Sequence, residues 1–214
     1  MRRLRRTRAA AVAVAGLVVL STALATVLPG TAVPPASGGP APVAAVGPQA
    51  QKGVAFEATA PPWGLPADAR PYIAAAGLSD LPGARGGYEV HLDIFDNRKR
   101  VQVPADIGDV VVRGSVTGTS PLFTDDTSGI VHVDAAGTSR FTLGQLFTEW
   151  GVPLSATQMG SFTAGGGSSL EAFVDGHVVD GSPADVALRP HDEVAVWFGP
   201  AARHPHVPAA YRFP

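Results

Sequence analysis

The chain predicts an α+β domain: a mixed β-sheet of about six or seven strands with one main packed helix, behind an N-terminal hydrophobic helix. Three observations carry this expectation. Apolar and polar residues alternate in several short runs after residue 88, the period of strands. One stretch, residues 142–150, shows helical periodicity with a start and a stop signal. Residues 9–28 hold no charge behind a cluster of arginines, and their length matches what a helix needs to cross a bilayer.

Arg2, Arg3, Arg5, Arg6 and Arg8 precede the apolar run, which ends at Pro29-Gly30. Arginines on this side stay in the cytoplasm, so the expected protein is extracytoplasmic, anchored in the cell membrane with its N-terminus inside. The same residues 1–28 also read as a signal peptide, because Ala23-Leu24-Ala25 is an A-x-A-type cleavage site. Cleavage after Ala25 would leave a secreted product. N-terminal sequencing separates the two readings, since a start at Thr26 excludes the anchor.

Residues 29–50 are Pro, Ala, Gly and Val with almost nothing else and no charge, a composition that cannot bury enough surface to fold. Residues 29–87 therefore read as a tether and a transition segment. Within it, residues 68–78 predict a short helix that starts after Pro71 and stops at Gly77, with Trp63 and Tyr72 docking on the domain that follows.

The globular domain is expected over residues 88–200. Tyr88, Val90, Leu92 and Ile94 alternate with Glu89, His91 and Asp93, a half-buried strand. Asp96 to Lys99 supplies a turn, and Val101 and Val103 return before Pro104. Residues 109–116 predict a third strand and residues 130–134 a fourth. The helix follows: Thr142 caps it with Gln145 three residues on, and Leu143, Leu146, Phe147 and Trp150 form one apolar stripe. Gly151 and Pro153 end it. Leu170, Ala172 and Val174 mark a strand, Asp175-Gly176 a hairpin turn, and Val178-Val179 the return. Val194, Val196 and Phe198 mark the last strand, and residues 201–214 form a tail containing Pro and His.

Composition narrows the partners. There is no cysteine, which excludes a lipoprotein anchor and any disulfide support. Five of the 16 basic residues lie in the export segment; eleven remain against 18 acidic ones, a formal charge of −7. Such a surface disfavours nucleic acid and anionic lipid.

Two resemblances add to this reading. Residues 130–199 resemble a β-grasp (ubiquitin-like) layout: a strand at 130–134, a helix opening on Thr142-Leu143, a strand ending Phe173-Val174-Asp175-Gly176, and a closing strand introduced by Asp192-Glu193. The likeness is to small sulfur-carrier proteins, whose chemistry needs a C-terminal Gly-Gly. This chain ends Tyr211-Arg212-Phe213-Pro214, so carrier function is not implied. The stretches His91-Leu92-Asp93, Ser120-Pro121-Leu122, Asp126-Thr127-Ser128-Gly129-Ile130-Val131-His132-Val133 and Phe141-Thr142-Leu143-Gly144-Gln145-Leu146-Phe147 resemble a family of uncharacterised exported or membrane-anchored bacterial proteins. Its members carry histidine-rich forms of two motifs, roughly H-x-H-x-H-L-D and L-H-T-H-D-x-S-G-I-I-H. Here Tyr88 and Glu89 lie where the first cluster has further imidazoles, and Phe123 and Asp125 replace two histidines of the second.

The resemblance implies a metal site, for which His91, Asp93, Asp125, Asp126 and His132 remain as candidates. From the residues alone, His91 and Asp93 share one strand face, as do His132 and Asp134. With those strands adjacent and faces matched, two imidazoles and several carboxylates would hold a divalent transition metal. His91, Asp93, Asp126 and His132 are the expected ligands. The plain alternative is a solvated sheet face, with Asp125 to Gly129 an ordinary turn whose carboxylates cap backbone N–H groups. His177, His191, His204 and His206 are expected to be exposed. No G-x-S-x-G elbow, H-E-x-x-H helix or phosphate loop is present, and Gly165-Gly166-Gly167 precedes a strand rather than a helix. No catalytic residue is therefore nominated. The expected function is a non-enzymatic envelope module that binds a protein or small-molecule ligand. A divalent-metal-binding protein is the alternative, with an exported metal-dependent hydrolase behind it.

Overall fold

The computed structural model of the chain describes residues 54–79, 87–134, 140–201 and 206–214. The hydrophobic N-terminal run, the Pro/Ala/Gly tether and His204 lie outside the described residues. Among the described residues, no helix is long and apolar enough to cross a membrane. In chain order the elements are α1 (Arg70–Ala75), β1 (Tyr88–Asp96), β2 (Lys99–Val101), β3 (Asp109–Val112), β4 (Ser115–Thr119), β5 (Leu122–Phe123), β6 (Ile130–Val133), α2 (Leu143–Trp150), β7 (Gln158–Met159), β8 (Phe162–Thr163), β9 (Ser168–Val174), β10 (His177–Val179), a 3-10 turn at Pro183–Asp185, and β11 (Glu193–Pro200).

The fold is α+β, as expected. Seven strands form a mixed sheet in the order β10-β9-β11-β1-β6-β5, with β2 also paired to β1. β1 and β11 run parallel at its centre, Leu92 opposite Val194, while the other pairs are antiparallel. The edge of β1 away from β11 is shared: residues 88–91 pair with β6 and residues 94–96 with β2.

Even-numbered positions of the central strands face α2. Val90, Leu92, Ile94, Val194 and Val196 are fully shielded and pack in one core with Leu143, Leu146, Phe147 and Trp150. The helix forms where its cap and stripe predict. Thr142 Oγ1 accepts from the Gln145 N–H at 3.4 Å, the Gln145 side-chain Oε1 accepts from the Thr142 N–H at 3.0 Å, and Gly151 at φ 77° closes the end. Thr142→Ala is expected to cost about 1 kcal/mol, the usual worth of an N-cap, measured as a shift of the unfolding midpoint.

Four local expectations change in the structure. β1 is not half-buried; His91 and Asp93 are each 2% exposed. The physical reason is that β1 is an inner strand whose second face is also covered. Phe95, Phe173, Ala195 and Trp197 form a smaller cluster there, with Val207 of the C-terminal segment packed on it. The single strand expected over residues 109–116 is a hairpin, β3–β4, folded at Arg113 (φ 51°) and Gly114 (φ 79°). Two successive residues with positive φ make the primed turn that matches strand twist, and Arg-Gly is a weaker signal for it than Asp175-Gly176, which forms the expected β9–β10 turn. α1 begins one residue before Pro71 rather than after it, since proline is tolerated in a first turn. Residues 54–79 are also an integral part of the packing. Trp63 is 4% exposed, lies edge-on to Trp150 at 5.5 Å, and is matched by Gly160, where a Cβ would fall 2.6 Å from its ring.

Candidate functional site

The odd-numbered face of β1 and β11 carries the polar residues that the sequence singles out, and the strand register decides which of them meet. Parallel pairing sets His91 beside Glu193 and Asp93 beside Ala195. His91 Nδ1 lies 2.8 Å from Glu193 Oε2, and both side chains are closed to solvent. The other ring nitrogen, Nε2, lies 3.1 Å from the Ser128 carbonyl oxygen. A carbonyl can only accept, so Nε2 carries a hydrogen and donates. One proton then lies between Nδ1 and the Glu193 carboxylate. Burial pushes the Glu193 carboxyl up, opposed by its hydrogen bond with His91 and the His91 charge, while Asp93 adds to the rise and Arg100 opposes it.

Asp93 is buried and accepts from Arg100 Nη2 at 2.8 Å; the Arg100 side chain is itself 58% exposed. Thus a buried acid is neutralised by a guanidinium reaching in from the surface. Tyr211 covers the imidazole from above, its ring stacked on His91 at 3.8 Å and 6°. Phe213 in turn packs on Tyr211 and His191. Gly129 lets the preceding loop close over His91, because a Cβ there would meet the Leu92 carbonyl at 2.6 Å and Nε2 at 3.1 Å. Beside this group a cavity of about 260 Å³ is lined by Asp93, Arg100, Ser128 and Gly129 among others.

Of the four expected metal ligands, the structure brings together two. Among the described residues, the set whose donor atoms all lie within 4.8 Å of one another is His91, Asp93 and Glu193. His132 is not in it. β6 is antiparallel to β1 with His132 opposite Glu89, whereas His91 faces Ile130. His132 accordingly forms a second group, Nδ1 3.5 Å from Glu89 Oε1 and Nε2 3.2 Å from Asp125 Oδ2, stacked on Phe123 at 4.9 Å. This group borders an open cleft of about 400 Å³ that also reaches Tyr88 and Asp134. Asp126 joins neither group: it is exposed, its Oδ1 accepts from the Ser128 N–H at 2.8 Å, and bonds from the Ser128 side chain and backbone hold its carboxyl down. It caps its own turn, as the plain reading of that segment has it.

Glu193, Arg100 and Tyr211 are the residues that sequence reasoning missed. The acidic pair Asp192-Glu193 was visible as the opening of the last strand, but its alignment with His91 depends on a parallel register 102 residues away. Of the remaining histidines, His177, His191 and His206 are exposed.

A further buried carboxyl sits on the helix side of the sheet. Glu149 of α2 is 1% exposed and accepts from the Ser120 hydroxyl, while its Oε2 has no partner. Burial pushes this carboxyl well up, against the Ser120 bond. Ser120 and Glu149 are both shut inside the core, and their bond ties α2 to the loop before β5.

No family model matches this chain, and no curated protein or solved structure matches it either.

Proposed function

We propose that this chain is an extracytoplasmic, non-catalytic binding module of the cell envelope, held outside the membrane by residues 1–28 and their Pro/Ala/Gly tether, or released after Ala25. The observation that carries the binding reading is the β3–β4 hairpin. It forms its own two-stranded sheet, and it holds three of the five exposed large hydrophobics among the described residues: Val111 at 51%, Val112 at 38% and Val116 at 55%. Val111 and Val116 are cross-strand partners and so present one apolar face. The base of the hairpin is anchored, with Val110 buried against Ala69 and Ile73. A rigid base with an apolar outer face is what a protein-contact surface requires.

The non-catalytic part rests on the polar groups. His91 pairs with Glu193 and Arg100 with Asp93, so the four groups balance in charge, and Ser120 with Glu149 is enclosed. What supports membership of the exported bacterial family is the motif set around His91, Ser120, Asp126 and Phe141. A β-grasp reading is supported by the order β6-β1-β11-β9-β10 with its central parallel pair and one helix across it. That reading begins at β1 rather than at residues 130–134, and so spans the whole domain instead of its second half.

A photoreactive side chain at position 116 of the full chain, in cells that export it, tests the proposal. A discrete protein adduct is expected from position 116 and none from Asp180, an exposed control just after β10. Equal, diffuse labelling from both positions would refute it.

A further inference from the structure

We propose that His91, Asp93 and Glu193 form a binding site for one divalent transition-metal ion of the zinc type, closed by Tyr211. All three side chains are buried, and one donor atom from each lies within 4.8 Å of the others. A second observation points to a ligand independently of that clustering: Glu193 Oε1 is buried and accepts no hydrogen bond. A shielded carboxylate oxygen left without a partner is expensive, and a cation is what satisfies it.

The imidazole is already arranged as a ligand. Its Nε2–H donates to the Ser128 carbonyl, which turns Nδ1 toward the carboxylates; metal-bound histidines are held by this kind of outer hydrogen bond. Two carboxylates and one imidazole are a donor set that zinc accepts, with a fourth position left for water. The charge balance also closes. Without metal, the two carboxylates are offset by the proton shared between Nδ1 and Oε2 and by the Arg100 guanidinium. A divalent ion replaces both: the proton is released to solvent, and Arg100, already 58% exposed, swings off Asp93. The cavity lined by Asp93, Arg100, Ser128 and Gly129 gives the ion its way in. Arg100 therefore acts as a resident competitor for the site. The ligand set differs from one built on both strand histidines, because His132 is committed to Glu89 and Asp125.

The test uses the purified full chain in detergent, stripped of metal and titrated with Zn(II), or with Co(II) for its visible absorption. One equivalent is expected to bind, raising the melting temperature. Glu193→Gln, close in size to the native residue, is expected to weaken binding about 100-fold, and Arg100→Ala to tighten it about tenfold, taking the range seen when ligands and their outer partners are altered. His204→Ala/His206→Ala, which removes the histidines of the Pro-rich tail, should leave the titration unchanged. Circular dichroism confirms that each variant is folded before titration. The proposal is overturned if the wild type takes up no stoichiometric metal. It is equally overturned if Glu193→Gln binds as the wild type does, if Arg100→Ala does not bind more tightly, or if uptake disappears with the tail histidines.

Discussion

Replacing Trp63 by alanine is expected to destabilise the fold by about 3–5 kcal/mol, the range for emptying a large aromatic site in a core. Trp63 lies well before the first sheet strand, yet its ring fills the space beside Trp150 and Phe162, at 5.5 and 6.3 Å between centroids. Its indole N–H donates to the Thr59 carbonyl at 2.8 Å, and Trp150 donates across to Gly64 at 3.0 Å. The substitution therefore opens a cavity and leaves the segment without its anchor. Leu65, two residues on and 41% exposed, is the internal control: Leu65→Ala should change stability by no more than about 0.5 kcal/mol. Denaturant unfolding of both variants checks the difference. Equal, small effects would mean that residues 54–66 are an appendage.

The second large effect concerns pH. The Glu149 carboxyl is raised by burial, so the folded state holds its proton after the unfolded chain has released it. The stability this contributes is whole below the ordinary glutamate range and is lost as pH rises through the folded-state titration. Glu193, Asp192 and Asp109, also raised chiefly by burial, act in the same direction. Wild-type stability should thus peak in mildly acid solution and decline toward alkaline pH. Asp126, held down by Ser128, acts oppositely and only in acid. Glu149→Gln removes the largest source of the decline. Its stability curve should be flatter, and at pH 8 it should exceed the wild type by on the order of 1–3 kcal/mol, because the amide has no proton to lose and no charge to bury. Thermal unfolding at pH 5 and pH 8 reads this directly. A parallel pair of curves would show that Glu149 is already ionised in the fold.

Local patterns in the chain were enough to place β1, α2 and the β9–β10 turn, but not the short strands β5, β7 and β8 or the turn inside residues 109–116. Alternation at Tyr88 to Ile94 marks β1, the Thr142/Gln145 pair marks the start of α2, and Asp175-Gly176 marks the β9–β10 turn. Each of these signals is decided within a few residues. What was not legible depends on partners far apart in the chain. Alternation states that His91 and Asp93 share a face, but not that β11 lies beside them or that Tyr211 covers them. A face read as solvated is therefore buried, and its third member, Glu193, is 102 residues from His91. The same limit applies to His132. Its parity was right, but antiparallel register set it against Glu89, one step along the sheet from His91. Trp63 was expected to dock, whereas its depth in the core depends on Gly160, a position with no pattern around it.

Adduct yield from position 116 in two variants separates the hairpin from the buried triad as the contact surface. Val111→Asp alters an exposed residue paired with Val116, so the fold should persist while the adduct disappears. Glu193→Gln alters the enclosed group and should leave the adduct unchanged. Loss of the adduct in Glu193→Gln with retention in Val111→Asp would contradict a binding module that works through its hairpin.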